Sequence, residues 1–110
     1  MTTFRRPQQR DGECRMDKLS QEQIDERLTE VPEWSVNGDA LQRTYRFDDF
    51  REAMVFVNRV ADLAEDHQHH PDILIRYNKV TLTVTTHDAS GITEKDFALA
   101  MATDGYVAAT

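Results

Sequence analysis

The stretch from Asp49 to His69 carries the clearest helical apolar repeat in the chain, and Pro71 closes it. Phe50, Ala53, Met54, Val57, Val60, Ala61 and Ala64 recur at the spacing that puts side chains on one face of a helix. Asp49 and Glu52 stand three apart ahead of that stripe, in the pattern of a capping box. Proline disfavours helical geometry in the residue before it, here His70. The spacing therefore predicts a long central helix that ends at about His69, with the chain turning extended beyond it. A helix of that length needs a partner layer for its apolar face. In 110 residues with 39% hydrophobic composition, that partner must belong to the same single core.

The rest of the chain supplies it. Ser20-Gln21-Glu22-Gln23 reads as a capping box, with Leu19 and Ile24 placed as a hydrophobic staple. A first helix is expected from Ser20 to before Pro32, burying Ile24, Leu28 and Val31. Trp34-Ser35-Val36 leads into Asn37-Gly38, a type I′ hairpin signal, and out through Leu41, Arg43, Tyr45 and Phe47 at period two. After Pro71, Ile73, Ile75 and Tyr77 alternate with Leu74 and Arg76. Val80, Leu82 and Val84 then alternate with Thr81, Thr83, Thr85 and His87. These are two further strands with the apolar face inward. Thr93 with Asp96, flanked by Ile92 and Phe97, opens a C-terminal helix through Leu99, Met101 and Ala102, and Gly105 weakens its last turns. The order α-β-β-α-β-β-α implies an α+β fold: a four-stranded antiparallel sheet with three helices packed on one face.

Residues 1–15 differ from the body: Arg5, Arg6, Arg10 and Arg15 oppose only Asp11 and Glu13, and no apolar period is present. They are expected to form a disordered tail, with residues 16–110 as one domain beginning at Met16. The net charge of −7 argues against a nucleic-acid or anionic-membrane surface and favours a small molecule of neutral or weakly polar character as partner. Cys14 is the only cysteine, so no intramolecular disulfide or cysteine-rich zinc site can form, and a reducing, cytoplasmic setting is expected. No apolar run reaches the roughly 18 to 20 residues that span a bilayer.

All four histidines fall between positions 67 and 87. Glu65 and His69, four apart, should share a face of the last helical turn, while His70 enters the next strand and points elsewhere. His87 is expected to end the fourth strand on its threonine face. A helix end and a strand end can meet at one rim of the sheet, forming a cleft of imidazoles, a carboxylate and threonine hydroxyls. His67 reads as a solvated helix-terminal residue. Adjacent imidazoles gain nothing structurally if both are charged, so His69 and His70 point to chemistry. Asp96 has a complete explanation as the reciprocal partner of Thr93, which leaves its role ambiguous. As metal ligands, His67, His69 and His70 with His87 could supply three nitrogens for zinc, copper or nickel, but the i, i+2, i+3 spacing across a helix end does not converge three rings, and nothing fixes a fourth ligand. The cluster is therefore not read as a metal site.

Glu65-x-x-x-His69-His70-Pro71, Tyr77-Asn78-Lys79-Val80, Thr86-His87 and Gly91-Ile92-Thr93-x-x-Asp96 together resemble the signature of the pterin-4a-carbinolamine dehydratases. The resemblance runs from about Leu19 to Tyr106 and includes Trp34 and Phe47-x-x-Phe50. It implies loss of water from a 4a-hydroxytetrahydropterin to give a quinonoid dihydropterin, which is recycled after an aromatic amino acid hydroxylase has used the cofactor. A proton must reach the departing hydroxyl and another must leave a ring nitrogen, a task suited to imidazoles near neutral pH. By matching position, His69, His70 and His87 would be catalytic, with Glu65 and Asp96 orienting or tuning them. Gln68, Thr85, Thr86 and Asp88 would join the histidines in contacting the pterin. No metal or redox cofactor is implied, and the resemblance does not say which imidazole gives and which takes a proton. Two positions depart from the family's habit: Ile73 stands where many members carry an aromatic residue, and Gln68 where an acidic one is frequent. The resemblance also admits a binding module on the same fold, either a dimerisation cofactor or an assembly factor, although assembly-factor relatives tend to lose the histidines kept here. Relatives form dimers or tetramers. The apolar Ala98, Leu99, Met101, Ala102, Val107 and Ala108 mark the C-terminal helix as the expected contact for a homodimer or homotetramer.

Overall fold

Side-chain caps decide where the helices begin. In the computed structural model, which describes residues 18–109, the first helix α1 spans Gln21–Leu28. The Ser20 hydroxyl accepts from the Gln23 amide at 3.2 Å and Gln23 Oε1 accepts from the Ser20 amide at 2.9 Å. Helix α2, Phe50–His67, starts on Asp49, whose carboxylate accepts from the Glu52 amide at 2.9 Å. Its reciprocal contact is displaced by one residue, because Glu52 reaches the Asp48 amide instead. Helix α3, Glu94–Ala109, opens behind Thr93: Asp96 Oδ2 accepts from the Thr93 amide at 2.8 Å, and Thr93 Oγ1 from the Lys95 amide at 3.2 Å. Each such cap contributes about 1 kcal/mol. The N-terminal tail, with the domain start expected at Met16, lies outside the described residues.

Between the helices lie two hairpins, β1 (Ser35–Asn37) with β2 (Ala40–Arg46) and β3 (Asp72–Arg76) with β4 (Lys79–Val84). Pairing of β2 with β4 joins them into one antiparallel sheet of order β1-β2-β4-β3. Leu41, Tyr45, Val80, Leu82 and Val84 are buried on its inner face. Gln42, Thr44, Thr81 and Thr83 occupy the outer face and pair there, Thr44 with Thr81 at 2.7 Å and Gln42 with Thr83 at 3.0 Å. The three helices cover the inner face, which gives the α+β layer architecture in the order the sequence predicts. The core is completed by Ile24, Val31 and Trp34 from the first segment, Ala53, Phe56, Val60 and Leu63 from α2, and Phe97, Leu99 and Ala100 from α3.

Several local expectations are corrected. The buried stripe of α2 is rotated: Phe56 and Leu63 face the core, whereas Phe50 and Ala61 are exposed. Both stripes satisfy the helical period, and only the position of the sheet selects between them. In the first hairpin Asn37 pairs with Ala40, so the turn is Gly38-Asp39 rather than Asn37-Gly38. Only Gly38 takes a positive φ, 65°, whereas a type I′ turn needs two such residues. Tyr77 belongs to the turn after β3 with a φ of 56° and is 67% exposed. Edge strand β3 leaves Ile73 37% and Leu74 54% exposed. Helix α3 runs on through Gly105 to Ala109.

Candidate active site

The end of α2 separates two adjacent histidines. The helix closes at His67, and Gln68 turns left-handed with a φ of 52°, a conformation that costs a residue with a Cβ about 1–2 kcal/mol. The turn places the His69 amide on the Ala64 carbonyl at 3.0 Å. The His69 side chain then goes inward beneath the start of α3, and that of His70 goes outward. The residue order alone paired Glu65 with His69. In the fold Glu65 Oε2 meets His70 Nε2 at 2.6 Å, and His69 Nε2 meets Asp96 Oδ1 at 2.5 Å.

Asp96 is completely buried, and both of its carboxylate oxygens have hydrogen-bond partners. Its Oδ1 faces His69, and its Oδ2 accepts from the Thr93 amide at 2.8 Å and from the Thr86 hydroxyl at 2.9 Å. Since Thr86 donates to Asp96, the 2.8 Å contact between the Thr86 and Thr93 hydroxyls has Thr93 as donor. The Thr93 oxygen in turn accepts from the Lys95 amide. A carboxylate that already accepts two hydrogen bonds on its other oxygen is an acceptor for His69 as well. Nε2 therefore carries the ring proton, and Nδ1 is left as the basic nitrogen. Asp96 is both helix cap and imidazole anchor, so one side chain performs the two roles between which the sequence could not choose.

The loop after β4 supplies the facing wall. A bridge between Thr86 and Gly91 pins its two ends, and a single 3-10 turn, His87–Ala89, lies between them. His87 thus opens a turn rather than ending the strand. Its side chain is exposed and has no hydrogen-bond partner among the described residues. Thr85 donates to the Asp39 carbonyl at 2.6 Å, so its hydroxyl hydrogen, like that of Thr86, is committed within the protein.

Gln68, His69, His70, Thr85, Thr86, His87 and Asp88 come together around one open cleft of about 300 Å³. Glu65 and Asp96 stand behind this wall, each holding a histidine. Lys95 also lines the cleft. Sequence reasoning passed over it because it falls between Thr93 and Asp96, inside the cap motif. The available signal was its place in the first turn of a helix whose neighbouring residue belongs to the site. His67 is half-buried at the helix end and does not line the cleft. Among the described residues, no group of three or more His, Cys, Asp or Glu side chains is arranged to hold a metal ion.

The cleft can therefore present one oriented imidazole with a free Nδ1, one imidazole paired to a solvated carboxylate, one unpartnered imidazole and an ammonium group to a small molecule. Residues 17–106 match the family described as Pterin 4 alpha carbinolamine dehydratase. A protein of Thermomicrobium roseum named "Putative pterin-4-alpha-carbinolamine dehydratase" is 61% identical over 85 residues, covering 77% of this chain and 91% of that protein. One of the same name from Chloroflexus aurantiacus is 54% identical over 89 residues, covering 81% and 96%. A solved structure of a transcriptional coactivator/pterin dehydratase from Brucella melitensis superposes with a TM-score of 0.77 at 33% identity, covering 81% of this chain and 97% of that one. A pterin dehydratase-like protein described as a RuBisCO assembly factor in the alpha-carboxysome shares the fold, with a TM-score of 0.55 at 20% identity over 66% of this chain and 83% of its own. By sequence match along most of its length and by fold, this chain belongs to the pterin-4a-carbinolamine dehydratase family.

Proposed function

We propose that this chain dehydrates a 4a-hydroxytetrahydropterin to a quinonoid dihydropterin. The observation that carries this reading is the convergence of His69, His70 and His87 on one cleft, with His69 locked onto buried Asp96. In the reaction the C4a–O bond breaks and its electron pair leaves with oxygen, which takes up a proton and departs as water. The adjacent ring N–H gives up its proton, and the nitrogen electrons close the new C=N bond. No electrons are exchanged with a second molecule, so proton carriers suffice. Imidazoles match both transfers near neutral pH and contribute about 10²–10⁴-fold to such steps. His69 offers Nδ1 in a fixed orientation, as in other aspartate–histidine units. His87 and the Glu65-supported His70 are the more mobile carriers at the mouth. Gln68, Asp88 and Lys95 provide donors and acceptors for the polar edge of the pterin.

The same reading assigns the protein to cytoplasmic tetrahydrobiopterin recycling as a homodimer or homotetramer. Among the described residues no helix is long and apolar enough to cross a membrane. Exposed Ala98, Met101 and Ala108 offer α3 as a contact, although Leu99 is part of the core rather than that surface. A binding-only module is the second reading, and the same assay separates the two. Ultraviolet monitoring of freshly generated 4a-hydroxypterin should show decay accelerated by the protein, with the acceleration lost in His69→Ala and His87→Ala. Wild-type protein that leaves the spontaneous rate unchanged would sink the catalytic reading and favour the module.

A further inference from the structure

The net charge of −7 conceals a local excess of the opposite sign. At the end of the sheet remote from the histidines, Arg46, Lys79 and Arg76 are direct cross-strand partners on β2, β4 and β3. They therefore project from the same face of the sheet, the outer one, which none of the described helices covers. All three are exposed, and none forms an ion pair with another described residue. Like charges placed directly opposite on neighbouring strands destabilise a sheet, so an unpaired row of three is not accounted for by folding. Arg76 and Lys79 also line a surface concavity of about 680 Å³, with Tyr77, Thr44 and Thr81. That volume lies within the usual range of small-molecule sites.

We propose that this concavity binds a polyphosphorylated small molecule of the nucleoside triphosphate class. Strands lie about 4.8 Å apart, so the row spans about 10 Å, which suits the consecutive phosphates of one compact ligand. An extended acidic peptide would present carboxylates on one side only every 7 Å or so and would meet the transverse row once or twice. Arginine offers forked donors matched to phosphate oxygens, and lysine a point charge between them. Tyr77, held outward by its left-handed turn, adds an exposed ring on which a base can stack. The row and the histidine cleft lie at opposite ends of β4, with Lys79 at its start and Thr85 just past its end. At about 3.3 Å per residue they are about 20 Å apart, and the proposal stands independently of the dehydratase reading.

Calorimetry of the full chain with inorganic tripolyphosphate and with ATP, in about 50 mM salt without divalent ions, tests it. Binding at about 1 mM or tighter is expected for both probes, with ATP the stronger. The combined Arg46→Gln, Arg76→Gln and Lys79→Gln variant should bind both at least about tenfold more weakly. Its melting temperature should not fall, because mutual repulsion is removed. Tyr77→Asn, which tolerates the left-handed backbone, should weaken ATP severalfold while leaving tripolyphosphate unchanged. Amide NMR shifts should centre on Arg46, Arg76, Tyr77 and Lys79. Absence of binding, binding that survives the triple neutralisation, shifts centred on Lys95 and His69, or a preference for oligoglutamate would each overturn the site. Equal affinity for the two phosphate probes would overturn the nucleoside assignment.

Discussion

His69 and His70 adjoin, and each ring nitrogen meets a carboxylate oxygen, at 2.5 Å from Asp96 and 2.6 Å from Glu65. The first pair is sealed: its side chains are 10% and 0% exposed, against 63% and 76% for the second. Burial makes the same contact a different object. An exposed ion pair contributes about 0–1 kcal/mol and is screened by salt. A buried carboxylate must have all its acceptor positions met, and removing a partner leaves the penalty uncompensated. His69 is thus held in one orientation and one tautomer, whereas His70 can swing and exchange protons with water. Two neighbouring residues of one type supply a fixed element and a mobile one.

Removing Asp96 is the severest way to break this contrast. Asp96→Ala should cost about 3–5 kcal/mol, because the His69 ring, the Thr86 hydroxyl and the Thr93 amide lose their acceptor together. In a domain of this size each kcal/mol lowers the melting temperature by roughly 4–8 °C, so thermal denaturation will read it directly. A drop under about 1 kcal/mol would show that the buried pair resembles the exposed one. His87→Ala should divide the effects the other way, lowering the dehydration rate by about 10²–10⁴-fold while stability stays within about 0.5 kcal/mol. Equal loss of both would mean that the loop, not the ring, had been damaged.

A second aspartate on α3 sharpens the comparison. Asp104 Oδ1 accepts from Trp34 Nε1 at 2.9 Å, Arg43 at 2.8 Å and the Tyr45 hydroxyl at 2.5 Å. The guanidinium of Arg43 also lies 4.1 Å over the Tyr45 ring. Burial, and then the bond to Asp104, push the Tyr45 phenol well above its ordinary range, so it remains a donor throughout the physiological span. This hub ties the C-terminal half of α3 to β2 and faces no histidine. Tyr45→Phe should cost about 1.5–3 kcal/mol, the worth of a hydrogen bond to a charged group, and leave the dehydration rate unchanged, as denaturant titration and the pterin assay would show. The smallest effect belongs to Glu65→Gln: under about 1 kcal/mol, with a rate change below about tenfold. Its influence on His70 should fade as salt is raised from about 0.05 to 0.5 M. Strong salt-independent loss would place Glu65 with Asp96 instead.

The elements were readable because their signals are local. Ser20, Asp49 and Thr93 accept backbone hydrogen bonds within three residues, and alternation along β4 extends over one strand. What failed were choices between equally periodic alternatives. Phe50 and Phe56 each complete a helical stripe on α2, and the sheet buries only Phe56. Glu65 precedes His69 by one helical turn, but the left-handed Gln68 breaks the helix before that geometry can operate. His87 continues a strand alternation that the Thr86–Gly91 bridge cuts short. Gln68, Thr85, Thr86 and Asp88 were marked by resemblance to a family, whereas Lys95 reached the cleft unmarked because α3 carries it there.

By itself the sequence determined the order of elements, the inner and outer faces of β2 and β4, and the gathering of imidazoles at one end of the sheet. These follow from periodicity and from caps that act across three or four residues. Only the tertiary structure decided which carboxylate holds which histidine, that Asp96 is cap and anchor together, and that three cations without an ion-pair partner among the described residues meet on the outer face. Hydrogen bonds between groups 27 residues apart, and the register that aligns Arg46 with Lys79, depend on distances that exist only once the layers have packed.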